Sequence, residues 1–169
     1  MIQLNENEYP KYYDKYFPLL FDSGLIDNLN LSQKMLLEIC GNLSDEKWNY
    51  KYAEGKWSVK NVVNHITDCE RIFQYRAVCI ARGEKNMLPG FEENDYAAAS
   101  NADKRSGESL LNESNAVRQS SILLYGSFDE EQLMKIGNAN NWAVSVRAIG
   151  WMLSAHQIHH LNVIKERYL

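Results

Sequence analysis

Three of the four histidines in the chain lie within five residues of one another, in the run AHQIHH that contains His156, His159 and His160. The longer run SVRAIGWMLSAHQIHHLNVIKERYL places apolar residues at the three- and four-residue spacing of an amphipathic helix. His156 and His160 are four residues apart, so their side chains stack on one helical face. On a helical wheel both lie in the middle of the apolar face, whereas His159 lies at its edge. The sequence therefore predicts two imidazoles that point toward the protein interior.

The fourth histidine, His65, lies beside the apolar face of a second helical run, NVVNHITDCERIFQYRA. A single inward histidine is more often a hydrogen-bonded core residue than a metal ligand, and that interpretation stays open. Two buried imidazoles on one helical face each need polar partners. A third imidazole from another helix favours a single partner that all three bind. Three neutral imidazoles can bind one divalent cation and leave positions open, as catalytic sites do. We predict that His65, His156 and His160 bind a divalent metal ion, and three imidazoles suit Zn, Ni, Fe and Cu alike.

Residues around His65 add alternatives to this site. Cys69 follows His65 by four residues and would close the site as a fourth ligand, although a small buried thiol on the apolar face is the simpler interpretation. Asp68 is a candidate to accept a hydrogen bond from a ligand imidazole, and Glu70 is a weaker one because it lies on the opposite side of the helix.

Two further residues are candidates to contact a substrate. Arg76 lies on the His65 side of the same helix, about three turns further along. His159 lies at the edge of the histidine face. We expect both near the rim of a largely apolar pocket between the two helices. For Arg76, a salt bridge to a helix carboxylate is the simpler alternative.

Helices are the elements that must position these residues. Strict two-residue alternation is scarce and the apolar spacing is helical, so the predicted fold class is all-α. We expect four main helices, over residues 26–43, 58–82, 106–125 and 145–168, with Ser58 as a helix N-cap and Gly83 just past a helix end. Shorter helical turns are expected ahead of the first helix, at residues 95–100 and at residues 129–135. Four main helices in one domain predict a bundle.

Length and composition set the broad class of the protein. A chain of 169 residues is most simply one domain, residues 1–169. The net charge of −4 argues against a nucleic-acid partner, and no apolar run of about 20 residues predicts a membrane span. The first residues lack the pattern of a signal peptide. The three cysteines include no CxxC pair, so no disulfide framework is expected. These features together predict a cytoplasmic protein.

Three runs of the sequence jointly resemble the DinB-like family, which includes the YfiT-type metal-dependent hydrolases. They are GKWSVKNVVNHITDCERIFQYRAVCIARGEK, LPGFEENDY and AHQIHHLNVIKERYL, and the resemblance extends from about residue 52 to the C-terminus. It implies a four-helix bundle of up-down-down-up topology, often a homodimer. It also implies a divalent metal held by one histidine of the second helix and an HxxxH pair of the last, which correspond to His65, His156 and His160. Where the family often has glycine before the last motif, this chain has Ala155.

The resemblance also bears on function. Members of the DinB-like family include thiol-dependent S-transferases and a maleylpyruvate isomerase that uses a low-molecular-weight thiol. The resemblance therefore implies a metal-dependent S-transferase or hydrolase that acts on a small molecule, with a low-molecular-weight thiol as candidate co-substrate. One alternative is a non-catalytic bundle whose metal is structural or whose surface binds a partner. DNA binding is suggested only by the damage-inducible name of the family, and the acidic charge argues against it.

Overall fold

A computed structural model describes residues 4–169 of the protein; residues 1–3, which belong to the predicted single domain, lie outside the described residues. The helices are α1 (Leu25–Cys40), α2 (Asp45–Asn49), α3 (Val59–Ala81), α4 (Glu93–Ala99), α5 (Gly107–Gly126), α6 (Glu130–Met134) and α7 (Val146–Arg167). Short 3-10 turns occupy Lys11–Lys15, Phe17–Leu19 and Ala102–Lys104. Strands β1 (Ile136–Ala139) and β2 (Trp142–Ser145) form one antiparallel hairpin. Within residues 4–169, no helix is long and apolar enough to span a membrane.

The four long helices α1, α3, α5 and α7 form a bundle whose two ends are filled by separate apolar clusters. The first cluster contains, in chain order, Leu29, Ile80, Tyr125 and Ile149. The second contains Leu36, Val59, Leu110 and Leu161. Helices α1 and α7 therefore run from the first cluster to the second, while α3 and α5 run in the opposite direction. This confirms the all-α, up-down-down-up four-helix bundle, in which α3 and α7 are antiparallel neighbours.

Serine side chains begin three of the long helices. The hydroxyl oxygens of Ser58, Ser106 and Ser145 each accept a hydrogen bond, at 3.1 Å, from the backbone N–H three residues later. Gly83 follows α3 in the left-handed conformation, with φ of 91°. The ends of α3, α5 and α7 thus lie within two residues of the prediction. Helix α1 stops earlier than predicted, at Cys40, because Ser44 caps a new short helix, α2.

A polar layer crosses the middle of the bundle between the two apolar clusters. Arg118 of α5 donates to both carboxylate oxygens of Glu70 on α3, at 2.7 and 2.9 Å. The Ser121 hydroxyl donates to the same carboxylate at 2.6 Å. Arg118 also donates to the Ser32 hydroxyl on α1, at 2.6 Å, and to the Gln157 side-chain oxygen on α7. Every long helix therefore contributes to one hydrogen-bonded network.

The segment ahead of α1 is fastened to the start of α7 through Glu8. The Glu8 carboxylate accepts hydrogen bonds from Arg147 Nε at 2.6 Å and from the Ser145 hydroxyl at 2.8 Å, and its backbone carbonyl accepts from Ser145 N at 2.9 Å. The bonded Arg147 guanidinium is the main cause that lowers the pKa of Glu8 to about 2. The 3-10 turns that follow are thereby held against the bundle.

Candidate metal centre

The antiparallel packing of α3 and α7 brings the first half of α3 against the second half of α7, and three histidines meet there. His65 Nε2 lies 3.3 Å from His156 Nε2, and His160 Nε2 lies 3.1 Å from the same atom. The ring centroids of His65 and His160 are 4.9 Å apart. The structure therefore brings together the three residues that the helical wheel selected.

The nitrogens of this cluster cannot all be satisfied by hydrogen bonds to one another. A ring nitrogen has either one proton or one in-plane lone pair, so His156 Nε2 can form one well-aligned hydrogen bond but not two. Two nitrogens bound tetrahedrally to one ion at about 2.0–2.1 Å would lie about 3.3 Å apart. The observed separations of 3.3 and 3.1 Å are close to that value. Each of the two pairs, His65 with His156 and His156 with His160, thus has the spacing of two ligands of one ion.

The charge state of the three imidazoles also suits a cation. Burial lowers the pKa of His65 to about 4. Burial, and then the neighbouring His65 and His159, lower the pKa of His160 to about 3. The pKa of His156 falls well below its ordinary range through burial and then through the other histidines. At neutral pH the rings are uncharged and their lone pairs are free, as metal binding requires.

Cys69 lies beside this cluster, and the ligand atoms of His65, Cys69 and His156 all lie within 4.8 Å of one another. His160 approaches His156 Nε2 at 3.1 Å but is not part of that group. Its sulfur is 3.6 Å from both Nδ1 and Nε2 of His65. Because the two distances are equal, the sulfur packs against the ring and does not lie along the lone pair of Nε2. Burial raises the pKa of the Cys69 thiol above its ordinary value. The sulfur is thus packed against the His65 ring, and it is also close enough to His65 and His156 to be a third ligand.

The histidines lie on the wall of a pocket of about 580 Å³. The wall is built from α3 and α7, from the N-terminal segment, from the hairpin and from the start of α4. The lining residues outside α3 and α7 are Pro10, Tyr12, Tyr13, Tyr16, Phe91, Glu93, Asn140 and Trp142. A small molecule entering the pocket would therefore meet both the histidines and aromatic side chains.

The other predicted site residues have different positions. His159 lines the pocket beside the cluster, and its ring packs on Tyr16 with centroids 4.6 Å apart. Asp68 is not part of the cluster: its carboxylate accepts from Asn64 at 2.6 Å and faces Arg71 at 3.6 Å. Those two partners occupy the oxygens that were expected to support an imidazole. Arg76 lines the pocket, but it is buried and not at the rim, and its hydrogen bond goes to the Pro89 carbonyl, at 2.7 Å.

Sequence reasoning missed several residues of the site. Tyr16 belongs to the aromatic run YYDKY, which gave no sign of its distance from the histidines in space. Trp57 packs against His65 with centroids 4.8 Å apart, although the run around it carries no chemistry by itself. Glu93 is the only carboxylate among the described residues that line the pocket. Trp142 reaches the pocket from a hairpin that was not predicted.

Comparisons with known proteins agree with this architecture. The family model of the DinB superfamily matches residues 28–164. A protein of Oceanobacillus iheyensis named "putative metal-dependent hydrolase" is 26% identical over 129 residues, which are 76% of this chain and 74% of the relative.

Two solved structures share the fold. YfiT from Bacillus subtilis, described as a probable metal-dependent hydrolase with an unusual four-helix bundle topology, superposes with a TM-score of 0.76 at 15% identity, covering 98% of this chain and 90% of YfiT. A mycothiol-dependent maleylpyruvate isomerase superposes with a TM-score of 0.67 at 13% identity, covering 83% of this chain and 60% of the isomerase.

Proposed function

Since the chain belongs to the DinB superfamily, we propose that it is a metal-dependent enzyme acting on a small molecule, with one divalent ion held by His65, His156 and His160. The observation that carries the proposal is the approach of two Nε2 atoms to His156 Nε2, at 3.3 and 3.1 Å, on the wall of a pocket. The names of the Oceanobacillus and Bacillus proteins support the same type of chemistry.

The residues around the histidines define what each side of the site does. A bound ion supplies a nucleophile at neutral pH, because it lowers the pKa of a coordinated water or thiol. His65 from α3, and His156 and His160 from α7, would hold the ion, and the pocket that they line would admit the nucleophile. Trp57 and Phe73 shield the rings from water, with ring centroids 4.8 Å from His65 and 6.3 Å from His156. Glu93 provides a carboxylate oxygen in the same pocket to accept the proton of the nucleophile.

We propose an S-transferase in which a low-molecular-weight thiol is the nucleophile and its sulfur replaces a leaving group on the substrate. The mycothiol-dependent isomerase supports this choice, because a protein of the same fold uses a small thiol. Hydrolysis with water as the nucleophile is the second candidate, supported by the names of the two hydrolase relatives. The two reactions would need the same histidines and would differ in whether a thiol or water enters the pocket beside them.

Spectroscopy of the cobalt-substituted protein tests both the site and the nucleophile. Elemental analysis first establishes the bound metal, and His160→Ala serves as the variant that loses it. Addition of 2-mercaptoethanol to the cobalt protein should then produce a sulfur-to-metal charge-transfer band in the near ultraviolet. No spectral change at saturating thiol, with cobalt confirmed in place, would refute the thiol proposal and favour water.

Cys69→Ala is the matched control for this experiment. If Cys69 only packs against His65, the variant keeps its cobalt and develops the same band when thiol is added. A charge-transfer band that is present before thiol addition and absent in Cys69→Ala would show that Cys69 closes the site. That result would favour the non-catalytic metal-binding bundle over the enzyme.

A further inference from the structure

Arg76 is a buried cation, and no carboxylate of residues 4–169 forms an ion pair with it, although Glu93 lines the same pocket. Only 8% of the residue is exposed, one guanidinium nitrogen donates to the Pro89 carbonyl at 2.7 Å, and Nε has no hydrogen-bond partner. The other deeply buried arginine, Arg118, is paired with Glu70 through two hydrogen bonds. An arginine side chain keeps its charge when it is buried, and a buried charge without a counter-ion is costly. The unsatisfied Nε–H therefore leaves a donor for a partner from outside the protein, and the buried positive charge favours a negative one.

The position of Arg76 links it to the candidate metal centre. It follows His65 by eleven residues, which is close to three helical turns, so both side chains project from nearly the same face of α3. Side chains on a helix lean toward its N-terminus, which carries the guanidinium back toward the histidines. Phe73 lies between them, with its ring centroid 5.8 Å from the guanidinium carbon and 6.3 Å from the His156 ring centroid. All of these residues line one pocket.

The surroundings of Arg76 describe the rest of the ligand. Arg76 also borders a smaller recess of about 70 Å³. Most of its wall is apolar, with Phe73, Val144, Ile149 and Met152 among the lining residues. Trp142 and Tyr13 border both the recess and the larger pocket. A ligand that reaches Arg76 would thus place apolar atoms, preferably a flat ring, against aromatic and aliphatic side chains.

We propose that Arg76 binds the carboxylate of the substrate, and that the substrate is an organic acid with an apolar body. The proposal rests on the proposed function, since it names the substrate class for the same pocket. Nε–H and the guanidinium N–H groups that Pro89 does not use form the planar fork that matches two carboxylate oxygens. The acid is then held by its charge at one end of the pocket while its reacting atoms lie toward the histidines.

Benzoate and its neutral isostere benzamide are the probes for this proposal. Calorimetry on the metal-free protein, prepared with EDTA, removes any contribution of a metal to carboxylate binding. The wild-type protein should bind benzoate at least about ten-fold more tightly than benzamide, because charge-assisted hydrogen bonds are about twice as strong as neutral ones. Arg76→Met should abolish this preference and leave benzamide binding unchanged. Arg82→Met makes the same substitution at an exposed position just after α3 and should leave both affinities unchanged.

A second readout keeps the test independent of the stability of one variant. In a ¹⁵N-labelled protein, benzoate should shift the Nε–H resonance of Arg76, assigned by its absence in Arg76→Met or, if that variant does not fold, in Arg76→Lys. Equal affinities of the wild-type protein for the two probes, no detectable binding of benzoate, or a preference that persists without Arg76 would each overturn the proposal. Zinc binding, measured separately, distinguishes failure of the proposed metal centre from failure of the proposed carboxylate subsite. A protein that prefers benzoate but binds no zinc refutes the metal centre alone, and the reverse result refutes the carboxylate subsite alone.

Discussion

The ion pair between Glu8 and Arg147 makes a quantitative prediction about stability and pH. Lowering the pKa of the Glu8 carboxyl from 4.5 to about 2 corresponds to about 3 kcal/mol, at about 1.4 kcal/mol for each tenfold change in affinity for the proton. Glu8 is 2% exposed, but the Arg147 side chain is 24% exposed, so solvent screening reduces this value to about 2 kcal/mol. We expect Glu8→Gln to lower the free energy of unfolding by about that amount at pH 7.

The pH dependence has a defined sign. The pKa of Glu8 is lower in the folded protein than in the unfolded chain, so its contribution is complete above about pH 4.5 and is lost as the pH falls toward 2. The difference in unfolding free energy between the wild-type protein and Glu8→Gln should therefore shrink over that window. Urea denaturation at a series of pH values measures it, with Glu6→Gln, at an exposed position in the same segment, as the control. A difference that stays constant down to pH 2.5, or one below about 0.5 kcal/mol at pH 7, would contradict this reasoning.

The same substitution should affect the pocket. Glu8 fastens the segment that supplies Tyr12, Tyr13 and Tyr16 to the pocket wall. In Glu8→Gln, backbone amides of this segment should exchange hydrogen faster, because fewer contacts oppose its local opening. Amides at the centre of α3 should keep their wild-type exchange rates. Faster exchange throughout the bundle would show that Glu8 stabilises the whole fold and does not act locally.

Two further substitutions test the centre and the polar layer. His160→Ala should lower zinc affinity by more than about 100-fold, since even residues that only support a ligand contribute about 10–100-fold. His159→Ala should lower zinc affinity little. Equal losses in the two variants, measured by calorimetry, would show that the ligand assignment is wrong. Arg118→Ala should lower the free energy of unfolding by about 3–5 kcal/mol, because it leaves the Glu70 carboxylate buried without its partner. A loss below about 1 kcal/mol, measured by urea denaturation, would contradict the role of the buried network.

Helix content and helix boundaries could be predicted from sequence because their determinants are local. Ser58, Ser106 and Ser145 begin helices by bonding backbone groups three residues away, and apolar spacing marks the buried faces. The β1–β2 hairpin was missed because its strands are four residues long. Its only local signal is the pair Asn140-Asn141, which adopts the left-handed conformation that two-residue hairpin turns require.

The site was only partly predictable for the same physical reason. His156 and His160 share a face through helical geometry alone, and His65 lies on the face that α3 turns toward them. The tyrosines, Glu93 and Trp142 reach the pocket through contacts between distant parts of the chain, which no local pattern encodes. For Asp68, the spacing from His65 suggested support for an imidazole, whereas the partners of its carboxylate in the structure are Asn64 and Arg71.

The polar layer and the histidine cluster lie at the same level of the bundle, and this arrangement gives the layer a role beyond stability. Gln157 is adjacent to His156 in α7, and its side chain is held by Arg118 and by the Ser32 carbonyl, the latter at 3.2 Å. Because neighbouring residues on a helix project about 100° apart, holding Gln157 toward the bundle interior turns His156 and His160 toward α3. Glu70, which follows His65 by five residues in α3, is likewise held by Arg118 of α5. We infer that the network sets the rotation of α3 and α7, and that this rotation brings the Nε2 atoms of His65 and His160 to 3.3 and 3.1 Å from His156 Nε2.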